Sequence, residues 1–450
     1  MSNAEVTLET LVSLAKRRGF VFQASEIYGG LAGFWDYGPY GVELVNNIKQ
    51  LWWRAMVYEN SEVFGIDGAI IQNPKLWEAS GHVAGFTDPL VDCKNCGARH
   101  RADHLAGVDS TDLKELKELL KDAACPRCGK KTLTEPRFYN MMMKTWVGPV
   151  EDDSSVAYLR PETAGSIFTN YENVRETTRS KIPFGIAQIG KAFRNEISPR
   201  DFIFRVRELE QMEMQYFIAP DVQHEQYERW RSFAWEFLLQ RVGLSKENIQ
   251  WHEHGDTERA FYAAAAHDIY FKFPQGFKEL WGTHNRTDYD LGNHMQMSGK
   301  DLTYFDDQTR TRFTPNVIES SVGVGRLMMA VLTDAYHEEE VDGEKRVVLK
   351  ISPVIAPVKI AVLPLSKKPE LSELSRKVYN DLVRSTGHNI EYDETQSIGK
   401  RYRRQDEIGT PYCVTIDFDS LTDGMVTIRE RDSMQQRRVK IDELAANVSI

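Results

Sequence analysis

The 450 residues contain no run approaching the roughly 20 consecutive apolar residues that a membrane-crossing helix needs. Met1 to Phe20 has no apolar h-region and carries Glu5 and Glu9, so no secretory leader is expected. Cysteine is scarce, five in an odd count, and in a chain without such a leader a disulfide framework is not expected. Excess positive charge is lacking too: 56 Lys+Arg against 66 Asp+Glu leave a net charge of -10. That excludes coating nucleic acid by bulk electrostatics but leaves room for a local basic footprint. Internal repeats and low-complexity segments are absent, which excludes solenoids and fibres. The expectation is a cytoplasmic protein with no membrane partner. What is present, 41% hydrophobic and 27% charged residues, is ordinary globular composition over a length that suits two or three domains.

Periodicity divides the chain. A helix is predicted over about Thr7–Arg18, then a glycine- and aromatic-rich loop from Tyr28 to Gly41. Leu44, Val45, Ile48, Leu51, Trp52 and Ala55 recur at helical spacing and predict a second helix over about Val42–Glu59. Glu62–Gln72 reads as a strand that ends at Pro74, where no N–H is available to a ladder. Phe184–Ile218 reads as a long antiparallel hairpin turning near Ser198–Asp201. In its second arm Arg205, Arg207, Leu209, Gln211, Glu213 and Gln215 share one face, built to meet something polar. Asp221–Val242 reads as a helix, Phe271–Leu291 as strands and the acidic His337–Lys345 as an exposed loop. Pro353 and Pro357 mark a linker. Beyond it, strands at Val358–Pro364, Ile390–Tyr392, Tyr412–Asp417 and Met425–Ile428, with a helix over Leu371–Ser385, suggest a compact α/β domain.

Cys93-Lys-Asn-Cys96-Gly97 and Cys125-Pro-Arg-Cys128-Gly129 are two knuckles with 28 residues between them. Four thiolates close a tetrahedral zinc site with no open position, so the metal would be structural; four buried free thiols are the alternative. Between them lies a charged helix over Ser110–Asp122, with Ser110 or Thr111 as its cap. Cys413, in an apolar strand, reads as core. Gly185–Ala192 has the glycine and lysine spacing of a P-loop but places Ala192 where the Mg²⁺-binding hydroxyl belongs, so that reading is rejected. Gly323-Val-Gly325-Arg326 lacks the third glycine of a dinucleotide fingerprint. Arg194 and Glu196, two apart on one strand face, could serve a phosphate and a base amino group together. Glu319 to Leu332 is a strand passing through two glycines into a helix, where backbone can closely approach a flat ligand.

Phe193-Arg-Asn-Glu196 with its return strand resembles motif 2 of the class II aminoacyl-tRNA synthetases, Gly323–Leu332 resembles motif 3, and the helix and strand ending at Pro74 resemble motif 1. The chain is more closely similar to the homodimeric glycyl-tRNA synthetases. That likeness lies in Gly29-Gly-Leu-Ala-Gly-Phe-Trp-Asp-Tyr-Gly-Pro39, Leu159-Arg-Pro-Glu-Thr163, Glu210-Gln-Met-Glu213, Asn285-Arg-Thr-Asp-Tyr-Asp-Leu291 and Pro315-Asn-Val-Ile-Glu-Ser-Ser321, and runs from about Leu8 to Ile450. The resemblance implies an α+β fold. A class II antiparallel sheet with flanking helices would occupy 1–350, interrupted by a zinc-knuckle insertion over 91–140, with a C-terminal α/β anticodon-binding domain over 351–450. It implies ATP, Mg²⁺ and structural Zn²⁺, with glycine, tRNA-Gly and a second copy of the chain as partners.

It also implies roles. Arg194 would bind the α-phosphate and, with Arg326, stabilise the transition state; Glu196 would take the adenine amino group, and Arg205 and Arg326 the terminal phosphates. Glu279 would hold Mg²⁺ or its water, and Asn195, Phe204, Leu280, Gly323 and Gly325 would complete the nucleotide site. Leu209 departs from the class, which usually has a stacking Phe there. Glycine offers no side chain to grip, so selection must come from excluding larger residues and holding the ammonium and carboxylate. Glu162 and Glu319 would hold the ammonium, with Gln211 and Ser321 filling the space a side chain needs and Glu213 in the same pocket. Arg286 and Arg101 would orient the carboxylate; a salt bridge from Glu162 to Arg160 is the purely structural alternative. In the tail Lys400, Arg401, Arg403 and Arg404, interleaved with Tyr402, and Arg437-Arg438 offer cationic and stacking contacts to unstacked anticodon bases. Residues 355–450 hold 15 Lys+Arg and 15 Asp+Glu, so the rest of the chain carries the whole net charge. Two rivals stay open: a class II synthetase for threonine, serine or proline, and a non-catalytic binding relative.

Overall fold

The computed structural model describes residues 6–108, 110–255, 264–341 and 343–448, so Glu5 and Ile450 lie outside it. Strands Val63–Gly65 (β1), Phe184–Phe193 (β2), Glu208–Ile218 (β3), Ile249–Glu253 (β4), Ala265–Phe273 (β5), Gly276–Thr287 (β6) and Asn316–Gly323 (β7) form a seven-stranded sheet in the order β4-β5-β6-β7-β3-β2-β1. Every pairing is antiparallel except β1 on β2. The expected hairpin is β2–β3, with Phe184 opposite Phe217 and Phe193 opposite Glu208. Strand parity sends Met212, Met214, Tyr216 and Ile218 into the apolar core and leaves Gln211, Glu213 and Gln215 on the other face.

Helix Leu8–Arg17 (α1) is capped by Thr7, whose hydroxyl accepts from the Thr10 N–H. Helix Pro39–Trp53 (α2) starts on a proline that needs no partner for its nitrogen and continues into a wider turn over Arg54–Tyr58. Gln223–Glu236 (α3) and Val324–Ala335 (α4) complete the layer. In α4 Leu327, Met328, Met329, Ala330, Val331 and Leu332 are all buried, because sheet and α2 both press on it. A fully buried side chain of this size contributes about 1.5–3 kcal/mol, so the glycines at the start of α4 rest on a firm base.

Four segments differ from expectation. Glu62–Gln72 is not one strand: β1 ends at Gly65, where a Cβ would fall 2.2 Å from Trp53 Cζ2, and Ile71–Gln72 pairs with Val156–Leu159 in a separate three-stranded sheet. The insertion helix is Leu113–Leu120, capped by Asp112 through the Lys114 N–H at 2.8 Å, while the Ser110 hydroxyl turns to Glu115. The acidic segment forms a hairpin, Tyr336–Val341 with Glu344–Leu349, because fully buried Arg346 binds Glu339, Asp406 and the Arg431 carbonyl. The linker is packed: Ile351, Ile355, Ala356 and Val358 belong to the main core.

The C-terminal domain is a mixed sheet of Ile360–Pro364 (β8), Ile390–Tyr392 (β9), Tyr412–Ile416 (β10), Met425–Glu430 (β11) and Gln436–Lys440 (β12), ordered β9-β8-β10-β11-β12. Helix Pro369–Thr386 (α5) is where it was expected; a second, Ile398–Ile408 (α6), is built from the basic run itself. Cys413 is buried in β10. Among the described residues no helix is long and apolar enough to cross a membrane.

Candidate active site cleft

A cleft of about 260 Å³ opens over β3, β6 and β7. The predicted nucleotide residues Arg194, Glu196, Phe204, Arg205, Leu209, Glu279, Leu280, Gly323, Gly325 and Arg326 line it, together with Glu162, Gln211, Glu213, Arg286, Glu319 and Ser321. Sequence reasoning missed Tyr37, Lys191 and His284, which also line it. Tyr37 lay within the glycine- and aromatic-rich loop, but its placement depends on the tertiary fold.

At one end the arginines are held in carboxylate or aromatic contacts. Arg205 Nε lies 2.8 Å from Glu196 Oε2, and Arg207 donates to the Glu196 carbonyl from Nε and Nη2 at 3.0 and 2.8 Å. Arg194 Nε donates to the Pro161 carbonyl at 3.0 Å, and its guanidinium sits 5.6 Å from the Phe86 ring. Arg326 stacks on Phe204 at 4.5 Å and pairs with Glu279 at 3.0 Å. Arg326 thereby holds the half-exposed Glu279 carboxyl below the ordinary carboxylate range. Leu209 lines the cleft as an aliphatic surface, and the nearby π-face belongs to Phe204, itself packed edge-on to Phe273 at 5.1 Å. The glycine-rich loop folds over this end: the Arg207 N–H donates to the Gly33 carbonyl at 2.8 Å. Gly33 has φ +81, and a Cβ there would stand 2.8 Å from Pro199 Cγ, so glycine is required twice over.

The other end is a knot of carboxylates. Glu319 Oε2 accepts from Arg286 Nη1 and Gln215 Nε2, both at 2.8 Å, and Oε1 meets His284 Nδ1 at 3.0 Å. Burial disfavours its charge, yet Arg286 and His284 hold the Glu319 carboxyl well below the usual range. Glu162 lies 3.3 Å from His82 Nε2, which with Arg286 outweighs burial and lowers its carboxyl too. Glu213 takes a hydrogen bond from the Thr163 hydroxyl but has no cationic partner of its own; burial and the Glu319 and Glu162 charges push it up to about 8. Burial disfavours charge on His284, but hydrogen bonds to Asp268 and Glu319 raise it to about 10. Gln211 Oε1 is buried without a hydrogen-bond partner.

Several expectations need correction. Arg101 does not line the cleft: its guanidinium is taken by Asp103 at 2.5 Å, within the insertion, and by Asp88 at 2.9 Å, just before it. Asn195 does not line it either; its N–H serves the Met141 carbonyl. Arg286 lines the cleft, where its guanidinium is bound by two carboxylates of the protein, Asp290 at 2.7 and 2.9 Å and Glu319 at 2.8 Å. Arg160 binds the Lys191 and Gly68 carbonyls, which removes the Glu162–Arg160 alternative. In the tail Arg401 is buried against the Pro364 carbonyl and Arg404 is paired with Asp393. Tyr402 is half-buried, hydrogen-bonded to Thr415 and covered by Arg429, whereas Lys400 is exposed and Arg403 partly so.

The Sγ atoms of Cys93, Cys96, Cys125 and Cys128 lie within 4.8 Å of one another. Gly97 and Gly129 take φ +67 and +71, and their N–H groups return to the Cys93 and Cys125 carbonyls at 2.9 and 2.8 Å. A four-sulfur donor set of this shape fits zinc.

Residues 149–335 match the tRNA synthetase class II core domain (G, H, P, S and T), and residues 359–449 match the anticodon binding domain. The chain is 53% identical to the glycine–tRNA ligase of Clostridium acetobutylicum, over 98% of this chain and 97% of that one. It is 54% identical to that of Acetivibrio thermocellus, over 97% of each. Among solved structures, prolyl-tRNA synthetase from Giardia lamblia, in complex with prolyl-adenylate, superposes with a TM-score of 0.68 over 99% of this chain and 76% of that one. At 15% identity that likeness is one of fold.

Proposed function

The chain belongs to the glycine–tRNA ligases of the class II aminoacyl-tRNA synthetases, and from that premise we propose that its cleft takes ATP at the Arg194–Arg326 end and glycine at the Glu162–Glu319 end. The activity has two steps. Glycine carboxylate attacks the α-phosphorus of ATP in line, giving glycyl-adenylate and pyrophosphate; the 3′-OH of the terminal adenosine of tRNA-Gly then takes the glycyl group and AMP leaves. Catalysis is positioning and electrostatic stabilisation, without a covalent enzyme intermediate.

Arg194 meets the α-phosphate, and ATP exchanges the carboxylate partners of Arg205 and Arg326 for phosphate oxygens. Glu196 takes the adenine amino group, and Phe204 and Leu209 flank the base. Glu279, half-exposed and ionised, supplies an oxygen donor suited to Mg²⁺. When bound, the ion neutralises charge on the phosphates. The observation that carries the glycine site is the three carboxylates, Glu162, Glu213 and Glu319, meeting beside the orphan Gln211 acceptor.

The family resemblance supports four further parts of the reading. The C-terminal domain reads the anticodon, with Lys400 and Arg437 as its exposed cations and Arg403 held by Asp406 at 3.8 Å. The cysteine cluster holds structural zinc. Two copies associate as a homodimer along α2 and the edge strand β1, where Tyr58 is exposed. The cytoplasm is the working compartment, in keeping with five free cysteines.

Amino-acid-dependent exchange of labelled pyrophosphate into ATP, run with each standard amino acid, tests the cleft. Exchange with glycine alone is expected. Exchange with proline, serine or threonine would overturn the pocket assignment, and no exchange from folded protein with Mg²⁺, with and without tRNA, would overturn the cleft's role.

A further inference from the structure

Beside the cleft, on the side of His284 away from Glu319, three strands bring together a second set of ligating groups. His254 Nε2 lies 2.7 Å from Asp268 Oδ2, and His284 Nε2 lies 3.3 Å from Asp268 Oδ1. We propose that His254, Asp268 and His284 form a second divalent-metal site, of the two-histidine, one-carboxylate kind, distinct from the four-cysteine cluster.

Register explains why these residues meet. Asp268 on β5 stands opposite His252 on β4 and opposite Gly282 on β6. His284 on β6 and His254, one residue past the end of β4, each follow those partners by two residues; the His254 N–H still pairs with the Ala266 carbonyl at 3.1 Å, so both side chains return to the same face. All three side chains therefore share one face of adjacent strands. Each offers one ligand atom, and the three atoms lie within 4.8 Å of one another. Their side chains are 17%, 5% and 23% exposed, so the group is shielded yet reachable from the cleft that His284 lines.

Two further observations point to a metal over a plain hydrogen-bonded triad. Gly282 leaves the space between the ligands open: a Cβ there would stand 3.0 and 3.1 Å from Cε1 and Nε2 of His284 and 3.3 Å from Asp268 Oδ1. The strand conformation does not call for glycine at that position, so the missing side chain serves the cluster. The other observation is Glu319. A metal-bound histidine commonly gives its second ring N–H to a carboxylate, which fixes the tautomer and aims the free nitrogen at the ion. His284 Nδ1 faces Glu319 Oε1 at 3.0 Å, which leaves Nε2 directed to Asp268. Two imidazoles and one carboxylate suit zinc, cobalt or nickel better than magnesium, and three protein ligands leave a position for water. Because the same Glu319 belongs to the carboxylate knot of the cleft, an ion here would couple directly to that end of the site. The ligand set stands whether or not Glu319 receives glycine.

The test is metal stoichiometry of the full-length protein. Apoprotein is loaded with excess Zn²⁺, freed of loose ion by gel filtration, and assayed for metal per chain. Two zinc ions per chain are expected for the wild type and one for His254→Ala and for Asp268→Asn. A single ion in the wild type, or two in both variants, would overturn the site. Cobalt titration of the unmodified protein needs no variant. The first equivalent should show thiolate charge-transfer bands, and the second only weak d–d absorption without them. If the second equivalent also produces thiolate bands, or if none binds, the cluster is a hydrogen-bonded triad and the inference fails. Neither readout depends on catalysis, so failure here is separable from failure of the glycine assignment.

Discussion

Arg286 and Glu319 are bound to each other at 2.8 Å, both almost wholly buried, with Asp290 closing the other side of the guanidinium. Breaking a buried ion pair by removing one partner costs about 3–5 kcal/mol, because the other charge is stranded. Arg286→Ala should therefore lower the melting temperature markedly as well as impair activity. If Arg286 instead served only the substrate carboxylate, the variant would raise the KM for glycine with thermal stability unchanged.

Among the described residues Glu162 forms its ion pair with His82, at 3.3 Å, and it lines the cleft. A charge-assisted hydrogen bond contributes about 1.5–3 kcal/mol, so Glu162→Gln should raise the KM for glycine roughly 10- to 100-fold and leave the KM for ATP near its wild-type value. Steady-state pyrophosphate exchange with each substrate varied in turn separates the two.

Glu213 gives a pH signature. Its carboxyl is raised to about 8 by burial and by the Glu319 and Glu162 charges, with Arg286 pulling the other way, so it is mostly protonated at neutral pH. An incoming ammonium favours the carboxylate. Glycine affinity should thus rise from pH 6.5 to 8.5 as Glu213 ionises. In Glu213→Gln that rise should be absent; a slope equal to wild type would assign the titration elsewhere.

Leu209 lines the same cleft as Arg194 and Arg326 without an aromatic face. Leu209→Phe should lower the KM for ATP by about 2- to 10-fold, the range expected for an aromatic contact of about 0.5–1.5 kcal/mol. An unchanged KM would mean that Phe204 already supplies the stacking surface. Arg194→Ala should cut exchange by about 10²–10³-fold, the cost of losing one preorganised charge at the reacting phosphate.

Stripping zinc should melt the insertion and spare the sheet. Cys93, Cys96, Cys125 and Cys128 with Ala98 form a small core of their own, apart from the large apolar cluster under β3 and β7. Hydrogen exchange after chelation should speed up in residues 87–140 and stay slow in β2, β3 and β7. Uniform loss of protection would show instead that the insertion supports the whole domain.

The sequence by itself determined what depends on neighbours along the chain. Alternation marked the β2–β3 hairpin and its polar face, the paired knuckles with their trailing glycines marked the four-cysteine cluster, and helical spacing marked α2 and α5. The tertiary structure alone decided how charges are shared, because an ionisable side chain chooses its partner in space. Arg101 and Arg286 looked free for a substrate and are held by aspartates and Glu319; Arg401 looked like a nucleic-acid contact and is buried under β8. The same holds for the P-loop lookalike: a Cβ at Gly190 would fall 2.1 Å from Arg160 Nη2, so that glycine makes room for an arginine 30 residues earlier and not for a phosphate. His284 had no local signal at all. Its place between Glu319 and Asp268 follows from register across β5, β6 and β7, a relationship that periodicity within one strand does not contain.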